Sequence, residues 1–280
     1  MILRARDVTV SFPRPVMIMG IVNATPDSFS DGGRYLEPQA AADRALQLIE
    51  EGADIIDLGG ESTRPNAQPI SEAEELRRVL PVLERLRDKH KSLLSIDTYK
   101  PVVAREGILA GAAIINDVYS GQNNPEMMRV VAESGVGYVV MHMQGSPPTM
   151  QLDPTYDDVC FEVGDFLERQ LSRLSAAGIQ RDQLMLDVGI GFGKRREHNL
   201  ALLAGLKTFE RHGRPLVLGV SRKSFLGNSI PPESRLPAAL AASCWAVSAG
   251  VQVIRTHDVG PTVQAIRLTE EIVQNVAAKA

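Results

Sequence analysis

Cysteine is scarce in this chain: Cys160 and Cys244 are the only two in 280 residues. They lie far apart in apolar helical contexts, which excludes a disulfide scaffold. Two buried free thiols fit better than a metal site or a nucleophile. An excess of charge of one sign is also missing. The formal net charge is -4 with the signs mixed along the chain, so nothing electrostatic points to nucleic acid or an anionic membrane. Any anion must meet positive charge gathered locally. No apolar run reaches the roughly 20 residues that span a bilayer. Linkers are absent as well: there is no low-complexity tract, Gly/Ser run or charge block. The opening residues MILRARDVTVSF carry charges where an export signal needs an apolar core. The expectation is one domain over residues 1–280, in the reducing cytoplasm.

What the chain does have is alternation. Short apolar runs begin at Val16, Asp54, Leu93, Ala112, Gly137, Leu184, Leu216 and Val251. Each is too short for a helix and dominated by Val, Ile and Leu, the pattern of parallel strands buried on both faces. Amphipathic stretches separate them, including 37–51, 157–177 and 261–278. Ser71 and Glu74 form a capping-box pattern ahead of another. Gly52, Gly111, Gly135, Gly178 and Gly250 stand where helix C-caps belong. Eight strand–helix units in one domain predict an α/β fold, a (β/α)8 TIM barrel; a doubly wound open sheet is the alternative. The alternation in LRARDVTVSF predicts an N-terminal hairpin outside the barrel, closing its bottom.

Polar residues collect where the runs end. The eight ends carry Asn23; Asp57 and Glu61; Asp97; Asn116 and Asp117; His142; Asp187; Ser221, Arg222 and Lys223; and Arg255, Thr256, His257 and Asp258. In a barrel these ends converge on one mouth, where such enzymes hold their sites. One polar strand end is readily a structural cap, but eight of eight are harder to explain that way. The basic residues fall on the last two strands, the usual phosphate position, where Lys223 acts as a point charge and Arg255 as a bidentate donor. Salt bridges from this pair to Asp187 and Asp258 are the bland reading. Asp97, Asn116 and Asp187 can accept and donate along the edge of an amino-pyrimidinone ring. They lack the His-rich spacing of a transition-metal site. A hard cation held by Asn23 and phosphate oxygens fits better.

Two long loops, ATPDSFSDGGRY after Asn23 and GGESTRPNAQPI after Asp57, lie on the mouth side. Such loops can exclude water from a reactive centre, or can merely be solvated. Phe29 and Arg64 favour ligand contact. The segment LDVGIGFGK (186–194) is out of register for a dinucleotide fingerprint.

Together these segments resemble the dihydropteroate synthase family, from about Val16 to the last helix. GIVNATPDSFSDGG and GADIIDLGGESTRP carry most of the likeness, and SIDTYKP, INDV, VVMHMQG, GIGFGK, GVSRKSFLG and IRTHDV follow in order. The resemblance implies a pterin-binding barrel that joins a pterin methyl diphosphate to p-aminobenzoate, is sulfonamide-sensitive, uses Mg2+ and forms a homodimer. It implies that Asn23 holds Mg2+ and the diphosphate, with Thr63, Arg255 and His257 also on the diphosphate. Asp97, Asn116, Asp187 and Lys223 line the pterin pocket, with Met141 and Phe192 as apolar walls. Phe29, Arg64, Pro65, Lys223 and Ser224 shape the p-aminobenzoate site, and Asp31 approaches the reacting methylene. Three departures stand out: Val188 where the family usually has Pro, Pro237-Ala238-Ala239 after the RL of its ERL block, and Tyr119–Gln122 after IND. A pterin-dependent methyltransferase and a non-catalytic pterin-binding barrel are the rival readings. Neither requires the Arg255–His257 anion cradle.

Overall fold

The computed structural model describes residues 1–24, 38–62, 67–87, 90–122 and 124–277. Parallel strands β3 (Met17–Asn23), β4 (Ile55–Gly59), β5 (Leu93–Asp97), β6 (Ile114–Asp117), β7 (Gly137–Met141), β8 (Leu184–Asp187), β9 (Leu216–Gly219) and β10 (Val253–Thr256) close a barrel, β10 pairing with both β3 and β9. The open-sheet alternative is therefore excluded. Among the described residues eight α-helices accompany the strands: α1 (Pro38–Glu50), α2 (Glu72–Leu86), α3 (Pro101–Leu109), α4 (Pro125–Ser134), α5 (Val159–Ala176), α6 (Arg196–Ala204), α7 (Leu236–Ser248) and α8 (Val259–Ala277). The expected helices 37–51, 157–177 and 261–278 match α1, α5 and α8 to within two residues.

Alternation along each strand divides the core in two. Ile18, Ile56, Leu58, Ile96, Ile115, Tyr138, Val140, Leu186, Leu218 and Ile254 join the helices in an outer layer. Met17, Met19, Ile55, Leu93, Val139, Met185, Val217 and Val253 fill the barrel. They interdigitate from all sides, so the lower barrel is packed core and leaves only the upper end for a site.

The expected hairpin is present as β1 (Ile2–Ala5) and β2 (Val8–Ser11), paired antiparallel. Leu3, Ala5, Val10 and Phe12 belong to the same cluster as the barrel interior, so the hairpin seals the N-terminal end of the strands. Polar contacts fix it there: Arg6 N donates to Gly135 O at 2.9 Å, and Arg4 pairs with Asp182 at 3.1 Å. Both partners precede strands, β7 and β8, at the bottom.

The capping box is only half formed. Ser71 accepts from Glu74 N at 3.2 Å and caps α2. The Glu74 carboxylate instead takes Arg77 and Arg78, whose hydrogen bonds hold it down at about 2. Two guanidiniums one turn on outcompete a single backbone N–H. The expected C-cap glycines do lie after helices at positive φ, Gly135 in the left-handed region at 68°.

Leu3 is fully buried at the floor, far from the strand C-termini. Leu3→Ala is expected to cost about 2–5 kcal/mol by transfer and cavity terms. The denaturation midpoint should fall while ligand binding at the mouth is unchanged. Equal damage to both would mean that floor and mouth are not mechanically separate.

Candidate active site

Register places the inward-facing residues of the upper barrel side by side. Asn23 pairs with Gly59, Gly59 with Asp97 and Asp97 with Asn116. One step below, Asp57 pairs with Ser95. Met141 pairs with Asp187, and Arg255 with Gly219. The apolar strands thus carry a polar ring one or two residues deep at their C-terminal edge.

At its centre Arg255 lies between two carboxylates. Nε donates to Asp57 Oδ2 at 2.6 Å and Nη2 to Asp97 Oδ2 at 2.8 Å. Burial opposes the charged guanidinium, but Asp57 and Asp97 outweigh it and hold Arg255 above its ordinary value. These are not the salt-bridge partners anticipated from the sequence: Asp258 is taken by Arg222 at 2.9 Å. Gly219 lies beside it, where a Cβ would rest in ordinary contact with the Arg255 side chain, 3.7 Å from its Cβ.

Asp57, marked by the sequence as a polar strand end but given no ligand role, organises the others. It is fully buried and accepts from Ser95 Oγ at 2.6 Å and Asn116 Nδ2 at 2.9 Å besides Arg255. The Asn116 amide is thereby oriented, with one Nδ2 N–H given to Asp57 and its Oδ1 left to accept. The signal was the even spacing of Asp57 from inward Ile55.

Asp187 Oδ1 accepts from Gly189 N at 2.7 Å, so Val188 in place of the family's proline leaves that anchor intact; Val188 packs in the outer core. Burial raises Asp187, against Lys223 and other cations. Lys223 reaches the mouth because Arg222 adopts φ 61°. This left-handed turn places Arg222 outside and Lys223 inside, and Arg235 holds it by donating to Arg222 O at 2.7 Å. Such a backbone costs about 1–3 kcal/mol and persists only where its surroundings fix it. Lys223 Nζ donates to Ile190 O and lies 4.8 Å from the Phe192 ring centroid. Met141 and Phe192 join one apolar cluster with Val118, Met143 and Met150. His257 is oriented by Ser221, whose Oγ is 2.9 Å from Nδ1. Ser224 is exposed.

Other strand-end polar groups have structural tasks, which narrows the eight-of-eight pattern. Asp117 faces the outer layer, accepting from Tyr138 OH at 2.6 Å and from Gly121 N at 2.8 Å. Thr256 bonds within the turn into α8, to Thr262 and Asp258 N. His142 stacks edge-on against Phe166. Glu61 takes Lys100 at 2.5 Å and Tyr99 OH at 2.8 Å. Phe29, Asp31, Thr63, Arg64 and Pro65 lie outside the described residues.

For a hard cation, Asn23 offers an amide oxygen that makes no hydrogen bond among the described residues. Gly59 keeps space between that oxygen and Asp97: a Cβ there would sit 3.8 Å from Asn23 Oδ1 and 3.9 Å from Asp97 Oδ2. A single oxygen ligand suits Mg2+ that brings phosphate oxygens and water with it. No cluster of three His, Cys, Asp or Glu able to cage a metal occurs among the described residues.

Comparison with known proteins follows the same lines. The family model described as pterin binding enzyme matches residues 19–257. The dihydropteroate synthase of Escherichia coli (strain K12) is 46% identical over 255 residues, covering 90% of this chain and 90% of that protein. The crystal structure of Yersinia pestis dihydropteroate synthase with a sulfonamide drug has a TM-score of 0.92 and 43% identity, covering 97% of this chain and 99% of that one. Xanthomonas albilineans dihydropteroate synthase with 4-aminobenzoic acid has a TM-score of 0.89 and 42% identity, covering 97% and 98%.

Two shifts of opposite sense predict the pH dependence of stability. Burial pushes Asp97 up to about 7 against Arg255, and pulls Lys223 down to about 8 against Asp187. The folded chain therefore keeps the Asp97 proton where the unfolded chain, at about 4, has lost it. Stability from this group falls as pH rises from about 4 to 7. Lys223 is lost from the folded state first, so its contribution is unfavourable below pH 8 and stability recovers towards the unfolded value near about 10. Denaturation curves across pH should flatten in the acid window for Asp97→Asn and in the alkaline window for Lys223→Met. Unchanged slopes would remove these groups from the buried set.

Proposed function

This chain belongs to the dihydropteroate synthase family, and on that premise we propose how its barrel mouth carries out the condensation. The reaction joins 6-hydroxymethyl-7,8-dihydropterin diphosphate to p-aminobenzoate, giving 7,8-dihydropteroate and diphosphate. Sulfonamides, which mimic p-aminobenzoate, target it. The observation that carries the reading is the gathering of Asp97, Asn116, Asp187 and Arg255 on inward strand positions at the C-terminal end of the barrel, with Lys223 on the turn after β9.

The aromatic amine attacks the exocyclic CH2, the C–O bond breaks, diphosphate leaves with the electron pair, and the amine gives up a proton. Asp187, its Oδ1 held by Gly189, accepts from ring N–H groups with its second oxygen. Asn116 accepts through the Oδ1 that Asp57 leaves free, and Asp97 accepts beside it. Lys223 donates to a ring acceptor, with Phe192 and Met141 as the apolar walls. The carboxylates also offset positive charge that develops on the electron-rich ring as the C–O bond lengthens. Arg255 has N–H groups left over after its two carboxylates, and with His257 it meets the leaving diphosphate. Mg2+ on Asn23 supplies further positive charge to that anion when bound. Thr63 completes the diphosphate contacts. Phe29, Arg64, Pro65 and Ser224 shape the p-aminobenzoate slot, and Asp31 approaches the methylene. No covalent nucleophile is required.

We read the protein as a cytoplasmic homodimer. Cys160 and Cys244 are free thiols, and no helix among the described residues is long and apolar enough to cross a membrane. The packed pair α7 and α8 presents Trp245 on one helix and Leu268, Ile272 and Val276 on the other, all exposed. The last three follow a four-residue spacing, a helical stripe suited to an interface.

The deciding experiment is diphosphate release on adding both substrates. It should require the pterin diphosphate and p-aminobenzoate together, with dihydropteroate formed in equal amount. A methyltransferase or a silent binding barrel would release none. In calorimetry, Asp187→Asn should weaken binding of the pterin without its diphosphate by about 1–3 kcal/mol. Unchanged affinity in a folded variant would take Asp187 out of the pocket.

A further inference from the structure

Lys194 is a buried lysine that the reaction described above leaves without a task. The residue is 3% exposed, and three polar atoms surround Nζ: His142 Nδ1 at 2.9 Å, Phe192 O at 3.0 Å and His142 O at 3.3 Å. The amino group is thereby surrounded by hydrogen-bond partners, inside a region that would penalise any missing partner. Burial draws Lys194 well below the ordinary lysine value and draws His142 down to about 2.

The surroundings show what the pair holds. Residues 188–194 run from β8 to α6, and their backbone groups are claimed one by one. Gly189 N donates to Asp187. Ile190 O takes Lys223. Gly191 O takes Gln151 at 2.5 Å, and Gly193 O takes Tyr156 OH at 2.8 Å. Phe192 O takes Lys194. The loop lies flat against the end of β7: a Cβ on Gly189, at φ 68°, would fall 1.8 Å from His142 O, and one on Gly193, at φ 59°, 2.2 Å from Gln144 O. Two left-handed glycines permit the approach, and Lys194 bonds the loop to β7 across it. The loop so fixed carries the N–H that orients Asp187, the carbonyl that orients Lys223 and the Phe192 ring.

We propose that Lys194, through His142, is a positioning residue for the pterin end of the site: it fixes the loop that aims Asp187, Lys223 and Phe192. The proposal rests on the pterin pocket assigned above. Of the groups the loop aims, Asp187 and Phe192 belong to the pterin pocket alone and only Lys223 also borders the p-aminobenzoate slot, so the effect falls chiefly on the pterin.

The test uses the full chain and 6-hydroxymethyl-7,8-dihydropterin as calorimetric probe, with KM for p-aminobenzoate measured at saturating pterin diphosphate. Lys194→Met should weaken pterin binding by roughly tenfold or more and change that KM much less. If Lys194→Met does not fold, a second pair separates positioning from packing. His142→Leu keeps the volume against Phe166 and removes the acceptor, whereas His142→Asn keeps an acceptor and loses volume. Positioning predicts that Leu damages pterin binding and Asn restores it, even where Asn has the lower melting temperature. Unchanged pterin affinity in folded Lys194→Met overturns the proposal, as does parallel loss for both substrates or an Asn variant no better than Leu. Asp187→Asn is run alongside. If it too leaves pterin affinity intact, the pocket assignment itself has failed; if it alone loses affinity, only the role of Lys194 has.

Discussion

The site depends on one buried arrangement, the Arg255 guanidinium held between Asp57 and Asp97. Two carboxylates brought to the centre of a barrel repel each other and lose hydration, and neither would stay ionised there without a cation. Arg255 answers both with one planar group whose fork reaches Nε to one partner and Nη2 to the other. That arrangement costs desolvation, so it is weak evidence for stability. Its value is geometric. Asp57, once neutralised, can turn its remaining acceptor capacity to Ser95 and Asn116, and so sets which atom of Asn116 faces the mouth.

The same barrel solves two opposed problems by height. Below, Met, Ile, Leu and Val side chains from every strand pack to a solid interior, which the hairpin seals. Above, inward positions are given to Asp, Asn, Arg and Gly, and the glycines matter as much as the charges. Gly59 and Gly219 occupy inward slots and place no side chain in the cavity. Rigidity for the polar layer comes from the packed layer beneath it, so preorganisation of the charges is supplied by hydrophobic burial.

Much of this was legible in the residues. Eight apolar runs with helices between them gave the barrel, and polar residues at the run ends marked its mouth. Strand parity carried further information. In β6, inward Ile114 makes Asn116 inward and Asp117 outward, and Asp117 does bind Tyr138 on the outer layer. By the same count, Met141 and Arg255 face in while His142 and Thr256 face out. What parity cannot give is pairing across the barrel. Arg255 is 198 residues from Asp57, and no local pattern distinguishes that partner from Asp187 or Asp258. The divided use of Glu74 was hidden for a similar reason, because competition between a backbone N–H and two guanidiniums is decided by rotamers.

Charge at the mouth bears on the remaining question, how such a site welcomes a diphosphate. The inward ring holds three carboxylates, Asp57, Asp97 and Asp187, against two cations, Lys223 and Arg255. Burial works against the charge on both sides, pushing Asp97 up to about 7 and drawing Lys223 down to about 8. A ring of that balance suits a neutral heterocycle with N–H donors, but it does not by itself attract a multiply charged anion. Arg255, proposed above to meet the diphosphate with His257, already shares its charge with two carboxylates. A divalent cation arriving with the diphosphate on the Asn23 oxygen would reverse the local sign without disturbing the carboxylates that the ring requires. The electrostatics of the mouth therefore favour a substrate that carries its own counterion over a pocket that supplies all the positive charge from side chains.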